Sequence, residues 1–364
     1  EEYHIDGFRF DLVGLLDVDT INELVDSVRA KHPNVIFYGE GWSMATEMTK
    51  PDVAMATQHN AHLTPNFAYF SDTLRDLLRG YVFDDRAYGY VAGAQGQEHL
   101  VKACFMGHPD WCPSPTQTIN YASCHDNMAL FDRLTMSRPE DSFADRIRMN
   151  NLAAAIYMLS QGVPFLQAGE ELLRSKPLPG GGFEHNSYAS PDSINSIKWA
   201  DLHRPEYAAN VDYYRGLIAF RKAHPTLRLT TDEAVQEQIH AMEGLEPNVV
   251  GFHLRGAADD PAAAIIVLYN PNRTPTTVEL PKGRWNVCIA DQTAGKEPLL
   301  TIEGGVSVAP ISATVLTLEP AAPAVKLPEI KTEKKLPLLL GAAAAVTAVL
   351  GGAAALIKKL SKGK

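Results

Sequence analysis

The chain has no surplus of positive charge. Thirty-three Lys and Arg stand against 43 Asp and Glu, giving a net charge of −10 and a pI near 5.6. A nucleic-acid surface needs a basic patch, and no DNA- or RNA-binding motif is present, so that class of partner is excluded. Cysteine is scarce: Cys104, Cys112, Cys124 and Cys288 follow no metal-ligand spacing. Cys104 and Cys112 read equally as a loop staple or as an inert reduced pair, which leaves the redox compartment open. His59 and His62 lack a third ligand at sensible spacing, so no metal site is expected, and a structural calcium cannot be assigned. There is no starting Met, no signal peptide and no Leu-Pro-x-Thr-Gly sorting signal, and the N-terminus reads as cut rather than natural.

Long apolar runs are also missing, with one exception. Residues 336–357 hold Leu, Ala, Val, Gly and Ile with one Thr and one Pro. As a helix this run would measure about 33 Å, enough to cross a bilayer, whereas the alternative is an Ala-rich buried helix. Lysines at 326, 331, 334 and 335 precede it and lysines at 358, 359, 362 and 364 come after it. The basic count is therefore even and does not set the orientation. A short tail at 358–364 is easiest to leave in the cytoplasm, which puts the bulk of the chain outside. The expectation is a membrane-anchored protein at a bacterial cell surface.

Short apolar strands alternate with helical stretches up to residue 228. The strands are expected at His4–Phe10, Val35–Gly39, Phe67–Phe70, Thr118–Ala122 and Val163–Gln167. The helices are expected at Ile21–Lys31, Asp72–Arg79, Phe143–Leu159 and Ala208–His224. Strand-then-helix alternation predicts a parallel α/β sheet. Long loops are expected at Gly80–Gln117 and Arg174–Arg204. Residues 229–318 change character: short β-rich segments separated by Asn-Pro, Pro-Lys-Gly and Gly-Gly breaks predict a small antiparallel β-sandwich domain. A proline- and lysine-rich linker occupies 319–335.

Three strand ends carry acids: Asp11 in IDGFRFD, Glu40 in FYGEGW and Asp126 in NYASCHDN. In a β/α barrel such ends meet on one face. Converging carboxylates separate in pKa, so that one acts as an acid and another stays ionised, as glycoside cleavage requires. Arg9, two residues before Asp11, shares its face and can keep it ionised. Singly, each acid reads as a helix cap or turn former, and Trp42 as packing. Glu170 and Glu171 are most plainly a pair of acids at a helix start.

IDGFRFDLVG (5–14), FYGEGW (37–42) and NYASCHDN (120–127) resemble the second, third and fourth sequence regions of the α-amylase superfamily. GVPFLQAGEELLRSK (162–176), NSYASPDSINSIKW (186–199), RKAH (221–224) and the stretch 57–79 are similar to its type I pullulanase branch. The resemblance implies a TIM (β/α)8 barrel, of which about five βα units lie in 1–228. It implies Asp11 as nucleophile, Glu40 as general acid/base and Asp126 as third acid. Arg9, His125, Trp42, Asp192 and Asn195 would contact substrate. The expected reaction is retaining cleavage of α-1,6 branch points in pullulan, starch or glycogen-type α-glucans by a monomer without cofactor. The alternatives are an α-1,4-acting amylase, another debranching enzyme, or a non-catalytic glucan-binding relative. Nothing matches the superfamily's first region, so the chain is expected to be a C-terminal fragment, inactive by itself.

Overall fold

The structure is a computed structural model that describes residues 2–44, 52–107, 109 and 111–319. Its first half is a five-stranded parallel sheet in the order β1 (Gly7–Phe10), β2 (Ile36–Gly39), β3 (Ala68–Phe70), β4 (Thr118–Asn120) and β5 (Val163–Pro164). The helices here are α1 (Val18–Arg29), α2 (Asp72–Arg79), α3 (Glu98–Phe105), α4 (Leu130–Ser137), α5 (Phe143–Leu159), the single turn α6 (Asp192–Asn195) and α7 (Pro205–Ala223). Their starts are written locally: Asp17, Ser71 and Ser142 each accept a backbone N–H from three residues on.

Alternation along the strands divides the sheet into two faces. Phe10, Phe37, Phe67 and Tyr69 pack with Val13, Ile21 and Val25 beneath α1. Tyr38, Ala68, Phe70, Ile119, Tyr121 and Phe165 fill the other face. Several expected strands are shorter than their apolar runs. His4, at φ 51°, breaks the first before Gly7, and the fourth and fifth stop at Asn120 and Pro164. The chain passes into loop beyond these early ends, and the loops carry the polar groups. The long loop expected at Gly80–Gln117 is not structureless: α3 lies within it and buries Val101, Cys104 and Phe105. Cys104 and Cys112 are not a staple: among the described residues all four cysteines are buried and none is in a disulfide.

After α8 (Asp232–Gln238) the chain turns antiparallel: β6 (Ile239–Ala241), β7 (Val250–Arg255), β8 (Ala264–Asn270), β9 (Thr276–Glu279), β10 (Trp285–Ala290), β11 (Thr293–Ala294), β12 (Leu300–Ile302), β13 (Gly305–Val308) and β14 (Ser312–Leu318). The larger sheet runs β11-β10-β14-β8-β7-β6, with β12 also on β10, and β9 pairs with β13 separately. Strands β8, β10 and β14 are buried on both faces. One face packs on α3, α5 and α7, with Phe105 stacked on Phe252 at 3.8 Å between centroids. The other holds Ile266, Leu268, Trp285 and Leu316 against Val278, Val306 and Val308 of the β9–β13 pair. A sheet covered twice explains why these strands read as continuous apolar runs rather than alternating ones.

No helix among the described residues is long and apolar enough to cross a membrane. The expected linker beyond Glu319, the apolar run 336–357 and the basic tail lie outside the described residues.

Candidate active site

Strand β1 places Arg9 and Asp11 two residues apart, hence on one side. The Arg9 guanidinium donates through Nη1 to Asp11 Oδ1 at 2.9 Å and through Nη2 to Glu40 Oε1 at 2.5 Å. One cation therefore bridges two carboxylates that come from adjacent strand ends. Parallel pairing of Phe10 with Gly39 sets this approach, and it continues past the strand: the Glu40 N–H donates to Phe10 O, and the Gly14 N–H to Glu40 O. Gly41 is required next to the acid, because a Cβ there would lie 2.5 Å from the Tyr69 ring.

His125 completes the cluster from the loop after β4. Its Nδ1 lies 3.2 Å from Arg9 Nη2, and its Nε2 lies 3.5 Å from Asp11, 3.8 Å from Glu40 and 3.4 Å from Asp126. Asp11, Glu40, Asp126, Arg9 and His125 are thus together, as the strand-end layout predicts. Oxygens of Asp11 and Glu40 and a nitrogen of His125 all fall within 4.8 Å of one another. Such a triad has metal-ligand chemistry, but Arg9 already sits between both carboxylates, and a second cation would face its fixed charge.

The two bridged acids see different surroundings. The Asp11 side chain is 57% exposed, whereas Glu40 is 2% exposed. Burial pushes the Glu40 carboxyl above its ordinary value, opposed by the Leu12 N–H that donates to Oε2 at 3.2 Å and by Arg9. His125 is also raised, first by its hydrogen bond with the Cys124 side chain, against partial desolvation. The arrangement provides a buried carboxyl that binds its proton more tightly than an ordinary glutamate does, beside an exposed carboxyl, with a cation between them.

A cleft of about 530 Å³ opens beside this cluster, lined by Arg9, His125 and Asp126 on one side and Arg174, Tyr188 and Asn195 on another. Asn195 is held there: its side chain donates to Ser187 O at 2.9 Å, and its carbonyl accepts from Arg174 at 2.6 Å. Asp192 stands outside the cleft lining, exposed at the start of α6. Trp42 is half-buried against the inner face of the sheet, with the Arg75 guanidinium 5.8 Å from its ring centroid. It packs there and is not among the residues lining the cleft.

Sequence reasoning missed the groups that hold the site. Lys176 is buried and donates to Ser187 Oγ at 2.6 Å, while Asp132 accepts from Ser175 Oγ at 2.5 Å and the Lys176 N–H at 2.7 Å. Glu170 does open a short 3-10 turn at Glu170–Leu172, with Glu171 beside it, but it is buried: it is 3% exposed, with hydroxyl donors on both oxygens. Its partners lie on elements far apart in sequence, so no local spacing announces them.

A parallel βα sheet whose strand ends gather three acids, an arginine and a histidine, followed by an antiparallel β domain, defines the α-amylase superfamily layout. Comparison narrows this: the chain is homologous to the pullulanases, members of glycoside hydrolase family 13. Residues 235–293 match the family described as "Pullulanase, all-beta domain". Over 325 residues, 87% of this chain and 44% of the relative, it is 33% identical to pullulanase from Bacillus subtilis (strain 168). The solved pullulanase from Bacillus acidopullulyticus superposes with a TM-score of 0.81 at 37% identity, covering 87% of this chain and 38% of that one. Pullulanase from Paenibacillus barengoltzii, solved in complex with maltohexaose and α-cyclodextrin, gives 0.77 at 35% identity, covering 88% and 49%. The chain spans less than half the length of the curated relatives it matches.

Proposed function

We propose that the protein is a retaining glycoside hydrolase that cleaves α-1,6 branch points in α-glucans. The observation that carries this reading is the Arg9 bridge, which holds a buried Glu40 beside an exposed Asp11. Their carboxylate oxygens come within 4.8 Å, a spacing that favours direct attack over a water-mediated displacement. Glu40 protonates the glycosidic oxygen as its bond to the anomeric carbon breaks. Asp11 attacks that carbon and forms a glycosyl ester. Glu40, now ionised, takes a proton from water, which hydrolyses the ester and releases the sugar with its configuration retained. Arg9 orients Asp11 through the Nη1 hydrogen bond, while His125 and Asp126 are placed to bind sugar hydroxyls from the other wall. Because Glu40 must start protonated, turnover falls as pH rises through its elevated pKa.

Homology to pullulanases supports the α-1,6 linkage, and a relative's complex with maltohexaose supports a malto-oligosaccharide in the cleft. Reducing-end release by the full-length protein tests this: pullulan is the expected substrate, and faster release from amylose would move the assignment to an α-1,4-acting amylase. Binding of pullulan without turnover would assign a glucan-binding role. The apolar run 336–357, flanked by lysines, supports tethering at a bacterial cell surface. Recovery in the membrane fraction, lost on deleting 336–364, is the corresponding test.

A further inference from the structure

The loop that carries His125 and Asp126 does not hold itself. It leaves β4 as Tyr121-Ala122-Ser123-Cys124-His125-Asp126-Asn127, and Asn127 ends it at φ 63°, in the left-handed region. Ser123 is fully buried at its root, and Ser123 Oγ donates to Glu170 Oε2 at 2.6 Å. The other Glu170 oxygen accepts from Tyr157 OH on α5 at 2.7 Å and from Tyr214 OH on α7 at 3.1 Å. Tyr214 OH in turn accepts from Asn150 Nδ2 at 2.9 Å. From the same segment as Glu170, Gln167 Nε2 donates to Cys124 O. All of these side chains are buried.

We infer that Glu170 is a positioning residue: its buried carboxylate fixes the Ser123–Asn127 loop, and with it His125 and Asp126, against α5 and α7. Three hydroxyl donors on one carboxylate form a network with little freedom to relax, since any lost partner leaves a buried polar group unsatisfied. The same helices face the β domain. Asn151 Nδ2 donates to Gln292 Oε1 at 2.8 Å, and Arg148 pairs with Asp291, both on the connection between β10 and β11. The antiparallel domain therefore buttresses the scaffold that holds the loop, rather than being a passive appendage.

The role rests on the proposed hydrolase reading, so its test uses one readout that depends on turnover and one that does not. In the full-length protein, Glu170→Gln preserves shape and Glu170→Leu removes both acceptors. Misplacing the loop by about 1 Å predicts a kcat lower by on the order of 10²-fold for Glu170→Leu with a small change in KM, and a milder loss for Glu170→Gln. Ser123→Ala combined with Glu170→Leu should cost no more than Glu170→Leu alone, because both break one network. Hydrogen–deuterium exchange should rise at amides 122–127 while exchange in β8 and β14 stays unchanged. Unchanged kcat per folded molecule, or a rise in exchange spread evenly over the chain, would overturn the inference. If the wild type turns over no glucan, the hydrolase reading fails, and the exchange result alone decides the positioning role.

Discussion

The two larger sheets of this molecule use apolar residues in opposite ways. In the antiparallel domain β8, β10 and β14 are buried on both faces, and Trp285, Ile266, Val267 and Leu316 have almost no exposed surface. In the parallel sheet the strands are two to four residues long, Ile36 is 52% exposed, and Phe8 and Val163 are also exposed. The parallel strands end early and hand over to loops whose side chains are charged. One sheet is built for packing, while the other serves as a rack for chemical groups and carries some apolar surface without cover.

That contrast predicts a separation of activity from stability. Asp11→Asn should lower turnover by on the order of 10⁴-fold or more while leaving the unfolding midpoint within experimental error, since the side chain is mostly exposed. A comparable loss of stability would mean that the Arg9 bridge is structural. Trp285→Ala should do the reverse. The side chain is fully buried and donates to Pro281 O at 2.9 Å, so its loss should cost about 3–5 kcal/mol in denaturant unfolding with kcat per folded molecule nearly unchanged. Should kcat fall as well, the buttressing of the loop extends into the far face of the β domain.

A third test sharpens the electrostatic side. Asp132 beneath the cleft has its carboxyl pushed up to about 6, chiefly by burial. The folded state then binds the Asp132 proton more tightly than the unfolded chain does, so this contribution is full below about pH 4 and is lost as pH rises through 6. Asp132→Asn should flatten that part of the stability–pH curve by up to about 3 kcal/mol, read from urea midpoints at pH 4, 5, 6 and 7. An unchanged slope would show that the Ser175 and Lys176 donors offset the burial. The smallest effect is expected at the open face: Ile36→Ser should shift stability by no more than about 0.5 kcal/mol. A loss several times larger would reveal that this face is covered in solution and that the contrast between the sheets is only apparent.

The legibility of the sequence divides along the same line. The five parallel strands, α2 and α5 are readable from apolar runs bounded by turn residues, and the convergence of Asp11, Glu40 and Asp126 from their places at strand ends. Short strands such as β11 and β12 carry too few residues for any periodicity, and α3 hides in a stretch rich in glycine. The supporting groups are illegible for a different reason. Glu170 looks like any acid after a glycine, and only the fold brings Ser123, Tyr157 and Tyr214 to it. Trp42 and Asp192 show the converse: residue type and neighbourhood suggest contact, but packing places one against the inner face of the sheet and the other outside the cleft.

Leu12 sits at φ 50° and ψ 38°, where a leucine is rarely found. Its N–H, the one that reaches Glu40, belongs to the peptide plane whose carbonyl is Asp11's own. The two acids are therefore mechanically joined through a single rigid amide. On the proposed hydrolase reading, ionising Glu40 strengthens its hold on that amide, so the acid's proton is coupled to the backbone that carries Asp11.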